Sequence, residues 1–201
     1  MLEQPLYEDN HLLIVNKPAG LLTQPSGTEQ DSLEARWKKW IKEKYHKPGN
    51  VFLEAIHRLD KPVSGIVVFA KTSKALSRLN QAERKKVYTA LLEKEPMERE
   101  ETLKHHLVHD DFHARVDPSG KLAVLHYKMI GERRVEIELE TGRYHQIRAQ
   151  FAAIGCPIVG DKRYGSSTAV AGGGIMLHHS GVELQHPITG ERVRVVSPPQ
   201  F

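Results

Sequence analysis

Five consecutive apolar residues, Ile66-Val67-Val68-Phe69-Ala70, follow a Pro62…Gly65 break and end at a lysine. A short run bounded in this way predicts a buried strand. Directly upstream lies His57-Arg58-Leu59-Asp60-Lys61-Pro62-Val63-Ser64-Gly65, which sets an aspartate between an arginine and a lysine. A carboxylate held by a turn against a rigid strand, with cations close by, would stay ionised near neutral pH. That suits a nucleophile better than a general acid. The alternative is an ordinary exposed turn aspartate between two solvated cations.

The rest of the chain supplies a mixed set of elements. Leu12-Leu13-Ile14-Val15 is a second short apolar run, stopped by Asn16-Lys17-Pro18-Ala19-Gly20. Asp31 or Ser32 can cap a helix with Leu33, Trp37, Trp40, Ile41 and Tyr45 on one stripe, ended by His46-Lys47-Pro48-Gly49-Asn50. A strand over Val51–Ile56 would then deliver the aspartate stretch. Ser73 heads a helix with Leu76, Leu79 and Ala82 on one side, and Val87–Leu92 reads as a strand. Residues 93–120 are rich in charge and histidine and give no clear period. Strands are predicted over Leu122–Met129 and Arg134–Glu140, joined at Gly131-Glu132. In the second, Val135, Ile137 and Leu139 alternate with charged residues, as in a half-buried antiparallel strand. A helix from about Tyr144 to Ile154 follows, stopped by Gly155 and Pro157. Gly172-Gly173-Gly174 is a flexible link that lacks the lysine and hydroxyl of a phosphate loop. Strands near Ile175–Leu184 and Arg192–Val196 finish the chain. Many strands with few helices predict an α+β domain built mainly on antiparallel sheet with a few flanking helices. No repeat and no dividing linker is visible, so residues 1–201 read as a single domain.

Composition removes several classes. A chain of 201 residues, 39% hydrophobic and 27% charged, is an ordinary globular composition. The lone Cys156 precludes an internal disulfide and fits a reducing, cytoplasmic compartment. Met1-Leu2-Glu3-Gln4-Pro5 lacks the pattern of a signal peptide, and no apolar run approaches the roughly 18 residues that span a bilayer. A net charge of +4 permits a polyanionic partner. Basic residues bunch at Arg36, Lys38, Lys39, Lys42, Lys44 and Lys47, and again at Arg84-Lys85-Lys86, where phosphate contact competes with a plain solvated face.

A second chemical stretch is Gly142-Arg143-Tyr144-His145-Gln146-Ile147-Arg148. On a helix Tyr144 and Arg148 would share a face. Arg148 sits among apolar and amide residues, where a cation wants a buried carboxylate, for which Asp60 is the preferred candidate. His105, His106, His109 and His113, with Asp110 and Asp111, could form a metal cluster. His105 and His109 have helical i, i+4 spacing, but no HExxH pattern or cysteine pair accompanies them. Gly-x-Ser-x-Gly is absent, and Cys156 lies against Pro157 with no evident base, so a serine or cysteine hydrolase is poorly supported.

Taken in order, His57-Arg58-Leu59-Asp60…Ser64-Gly65, Lys86-Val87-Tyr88-Thr89-Ala90 and Gly142-Arg143-Tyr144-His145-Gln146-Ile147-Arg148 resemble the motifs of the RluA family of pseudouridine synthases. Val15-Asn16-Lys17-Pro18-Ala19-Gly20-Leu21, Pro157-Ile158-Val159-Gly160-Asp161…Tyr164-Gly165, Leu177-His178 and His186-Pro187-Ile188-Thr189-Gly190-Glu191 are similar to further pieces of it. The resemblance spans about residues 12–195. Val63 and Tyr144 stand where the family usually has threonine, Gln24 replaces a frequent histidine, and Ala149-Gln150-Phe151 replaces a Val-His-Leu-like run. These departures spare the Asp, Tyr and Arg expected to do chemistry and bear instead on how RNA is gripped.

The resemblance implies a pseudouridine-synthase-like domain that isomerises a uridine of ribosomal or transfer RNA, with no cofactor and no metal. It implies Asp60 as catalytic carboxylate, Arg148 as its partner, and Tyr88 packed against the uracil with Leu177 on its other side. A stacked uridine must be flipped out to reach such a carboxylate, and Arg58 would fill the space it leaves. His57 and Ile147 join the substrate-binding set, and Lys17, Lys61, Lys86 and Arg143 are candidate phosphate contacts. The implied protein is a cytoplasmic monomer with no obligate protein partner, no membrane attachment and no separate N-terminal RNA-binding domain. Two other classes remain: a non-catalytic RNA-binding or RNA-folding protein on the same fold, and a zinc hydrolase using the histidines.

Overall fold

A computed structural model describes residues 4–27, 29–110 and 112–201. Asp111 of the histidine-rich segment, and the first three residues of the segment read for a signal peptide, lie outside these. The first half runs β1 (Tyr7–Glu8), β2 (Leu12–Lys17), α1 (Leu33–Lys44), β3 (Glu54–Ala55), β4 (Ser64–Ala70), α2 (Ser73–Gln81) and β5 (Arg84–Leu91). The second half runs β6 (Glu100–His109), β7 (Ala114–Val116), β8 (Lys121–Gly131), β9 (Arg134–Leu139), α3 (Gln146–Ala153), β10 (Leu177–Gln185) and β11 (Arg192–Val196). The α+β class expected from sequence is the one observed. No helix among the described residues is long and apolar enough to cross a membrane.

The chain forms two compact units, one comprising residues up to Arg84 with Gly181–Ser197, the other Lys85–Ser180 with Pro198–Phe201. In the first, β4 is the apolar run 66–70, and every one of those side chains is fully buried. Antiparallel β2 lies along one edge, from Leu12 opposite Ala70 to Lys17 opposite Gly65. Short β3 pairs with the other edge, Ala55 opposite Phe69. Only Glu54–Ala55 of the expected 51–56 strand joins a ladder. Leu12, Ile14, Ile66, Val68 and Ala70 form one sheet face against Ala75 and Leu79 of α2 and Val182, Leu184, Val193 and Val195 of the β10–β11 hairpin. Alternate strand residues reach one face, so positions 12, 14, 66, 68 and 70 share it. Thr72 caps α2 by accepting from Ala75 N–H, and Ser32 caps α1 by accepting from Ala35 N–H.

In the second unit the strands run β5-β9-β8-β6-β7, each antiparallel to its neighbour. Residues 93–120, unreadable by period, contain β6 and β7. Helix α3 is shorter than expected, because His145 takes a left-handed conformation (φ 49°) and the helix begins only at Gln146. Gln146 does the work of a cap. Its Oε1 accepts from Arg143 N–H and the Thr141 hydroxyl, and its Nε2 donates to Val124 O. Ala149 and Ala152 pack with Leu107, Ala114, Ala123 and Tyr164 in a small core.

Gly160 anchors the segment after α3. Its φ is +89°, and a Cβ there would lie 2.7 Å from Val170 Cγ2 and 2.8 Å from Gly174 O. Gly160→Ala combines left-handed strain with a backbone clash, so we expect a loss of about 2 kcal/mol or more in urea unfolding.

Candidate functional site

Asp60 is half-buried, in a turn closed by Val63 N–H donating to Asp60 O (3.0 Å). Both neighbours are fixed. Thr23, itself buried, donates from Oγ1 to Leu59 O (3.0 Å) and accepts from Leu59 N–H (3.1 Å). On the other side, Lys61 O accepts from Gly20 N–H (2.7 Å) and from the Lys17 ammonium (3.2 Å). Lys17 was a candidate phosphate contact on sequence, but the register opposite Gly65 turns it inward and it is 0% exposed. Its Nζ also donates to Leu21 O (2.7 Å) and Pro18 O (3.1 Å). It therefore staples the segment 17–21 to the aspartate turn. Burial pushes the Lys17 amine down to about 8, and the negative charge of Asp60 partly opposes that fall.

The sign of this shift makes a prediction. Lys17 releases its proton at lower pH folded than unfolded, so between about 8 and 10.5 the unfolded chain binds more protons and stability rises with pH. The folded protein carries the cost of the buried charge below that window. Urea unfolding at pH 7.5 and pH 10 should show a gain that Lys17→Met lacks, on the order of 2 kcal/mol.

The other candidates of this unit have separate settings. Arg58 is exposed. Lys61 pairs with Glu29 at 2.8 Å, both about half exposed, a pair worth at most about 1 kcal/mol. His57 is half-buried, and its Nε2 accepts from Val68 N–H (3.2 Å), so the ring ties the aspartate stretch to β4.

In the second unit Tyr88 lies on β5, 8% exposed, with its ring stacked on His179 (4.5 Å between centroids, 19°). Leu177, two positions before His179 on the same strand face, is also buried. Beside it Thr89 donates to the Ser180 hydroxyl (3.1 Å), which bonds Val87 O. Arg148 and Ile147 are buried in α3. Arg148 makes a two-pronged pair with Asp161, Nε to Oδ2 at 2.7 Å and Nη2 to Oδ1 at 2.9 Å, with side chains 5% and 2% exposed. Its guanidinium also lies 4.8 Å from the centre of the Tyr164 ring. Asp161 lies within the Pro157…Gly165 fragment, and its pairing with Arg148 across 13 residues is not visible in motif spacing. Lys86 is half-buried, its Nζ beside Gly142, and exposed Arg143 donates from Nε to Leu122 O (3.0 Å). Because α3 starts at Gln146, Tyr144 does not share a helical face with Arg148.

The helical spacing of His105 and His109 is also corrected, since both lie on strand β6. His105 meets the Gln150 amide (3.1 Å), and burial lowers its pKa. Among the described residues, no group of three or more His, Cys, Asp or Glu side chains is placed to hold a metal ion.

Comparisons with known proteins identify the family. Residues 11–153 match the family model described as RNA pseudouridylate synthase. The chain is 37% identical to the "Uncharacterized RNA pseudouridine synthase YhcT" of Bacillus subtilis, over 96% of this chain and 67% of that protein. It is 34% identical to the "Dual-specificity RNA pseudouridine synthase RluA" of Haemophilus influenzae, over 92% of this chain and 88% of that protein. Among solved structures, "Human RNA Pseudouridylate Synthase Domain Containing 4" superposes with a TM-score of 0.79 at 22% identity, covering 97% of this chain and 88% of that one, a likeness of fold. A matching family model, relatives at this identity and three ordered motifs converge: the chain belongs to the RNA pseudouridylate synthase family and is an isomerase of that kind.

Proposed function

We propose that this protein isomerises a uridine of ribosomal or transfer RNA to pseudouridine, with Asp60 as the catalytic carboxylate. The N-glycosidic bond breaks, the base turns, and a carbon–carbon bond to the ribose forms. The observation that carries this reading is the turn around Asp60, fixed at Leu59 by Thr23 and at Lys61 by Lys17 and Gly20. A carboxylate on such a turn needs no reorganisation when its substrate arrives. Tyr88 is assigned to pack against the uracil, with Leu177 on its other side. The Tyr88 ring is supported by His179, which suits a rigid platform. Arg148 is assigned to orient Asp60, and its anchoring by Asp161 would fix the guanidinium for that task. Exposed Arg58 is assigned to fill the stack vacated by the flipped base. Ile147 lines the substrate region in this reading, and His57, Lys61, Lys86 and Arg143 contribute to RNA contact. The cytoplasm is the proposed compartment, supported by the single, buried Cys156.

The test is pseudouridine mapping of total RNA from cells with and without the gene. At least one uridine should lose its modification in the deletion and regain it with the wild-type gene but not with Asp60→Asn. Identical maps in the deletion and parent strains would refute the assignment.

A further inference from the structure

Tyr144, which directly follows Gly142-Arg143, lies in a built cluster of rings. The left-handed conformation of His145 (φ 49°) brings two consecutive side chains face to face, which extended or helical backbone would point apart. The Tyr144 and His145 rings are 3.9 Å apart between centroids and 18° from parallel. His145 beneath is buried, and its Nδ1 shares a 2.9 Å hydrogen bond with the Tyr164 hydroxyl. That hydroxyl also accepts from Ala114 N–H (2.8 Å), and Arg148 lies against the Tyr164 ring. Tyr144 is therefore a 36% exposed ring on a locked base. The ring of His109, exposed at the end of β6, is tilted 44° to it with 5.2 Å between centroids.

The flank is cationic. Exposed Arg143 is held by its Nε on Leu122 O, which leaves the rest of the guanidinium directed away from that contact. Arg163, also exposed, donates to Phe112 O (2.7 Å). Asp110 Oδ1 accepts from the N–H groups of Phe112 (2.9 Å) and His113 (2.8 Å), which favour its ionised form.

We propose that Tyr144 and His109 form a stacking platform for an unpaired base of the RNA, with Arg143 taking the adjoining phosphate. This rests on RNA being the substrate, as proposed above. Flat rings with one supported face and a neighbouring guanidinium match a nucleotide, whose every base offers a π face. The platform would grip a nucleotide other than the reacting uridine, so it bears on which RNA is chosen.

The experiment measures anisotropy of a labelled oligouridine, roughly 12 nucleotides long, titrated with the full chain across a range of salt. Tyr144→Ala should weaken binding about 5- to 50-fold, with an unchanged melting temperature and unchanged salt slope. Tyr144→Phe should bind as wild type, and His109→Ala should lose less than Tyr144→Ala. Arg143→Ala should make the salt slope shallower by about one contact. Wild-type affinity in Tyr144→Ala overturns the platform, as does no measurable oligouridine binding by the wild type. So does a loss that comes with a lowered melting temperature and is not restored in Tyr144→Phe. Pseudouridine mapping fails or succeeds independently, so a sound platform on a protein that makes no pseudouridine would be recognised as such.

Discussion

Asp60→Asn should lower pseudouridine formation by at least about 10³-fold while RNA binding changes little. The substitution is nearly isosteric and removes only charge and basicity. Asp60 O closes its turn through Val63 N–H, and Thr23 and Lys17 hold its neighbours through backbone atoms. The side-chain change leaves those bonds in place but removes the negative charge that favours buried Lys17, so the melting temperature should fall modestly while the fold is kept. Release of tritium from C5-labelled uridine in RNA, with filter binding in parallel, separates chemistry from affinity. Normal tritium release would remove Asp60 from the reaction. A loss of binding matching the loss of rate would make it a contact residue.

Arg148→Ala should be the most destabilising of these changes, by about 3–5 kcal/mol, because it leaves the Asp161 carboxylate buried without its guanidinium. The aromatic face of Tyr164 loses its cation as well. Arg148→Lys should recover only part of the loss, since one ammonium cannot reproduce two parallel N–H···O bonds. Asp161→Asn should destabilise in the same direction, with a double-mutant coupling of at least about 1 kcal/mol between the two positions. Urea unfolding of the four proteins measures this. If Arg148→Ala unfolds like wild type, the pair contributes nothing net. Arg58 and Arg148 should thus fail differently: exposed Arg58→Ala should cost activity and leave stability almost unchanged, as the same unfolding curves would show.

Sequence pattern was sufficient wherever one local period decides the structure. The run 66–70 is a buried strand, Ser32 caps the first helix, and the alternation in 135–139 is a half-buried antiparallel strand. It failed where backbone and side chain compete. His145 interrupts a segment whose composition reads as helix, and residues 93–109 hide a strand beneath charges and histidines. No local rule favours a left-handed histidine. Here Gln146 and the His145–Tyr164 hydrogen bond supply the compensation from 5 to 22 residues away.

The chemistry divides in the same way. By itself the sequence determined the α+β class, the candidate residues Asp60, Tyr88 and Arg148, and the family, because ordered motifs are properties of the chain. Tertiary structure decided what the polar groups among them are bonded to. It turned Lys17 from a surface cation into a buried staple, gave Arg148 the carboxylate of Asp161, and laid Tyr88 on His179. Burying a charge is costly unless partners converge on it. Those partners come from segments distant in the chain, such as the Lys61 carbonyl, 44 residues beyond Lys17, and only the folded chain brings them together.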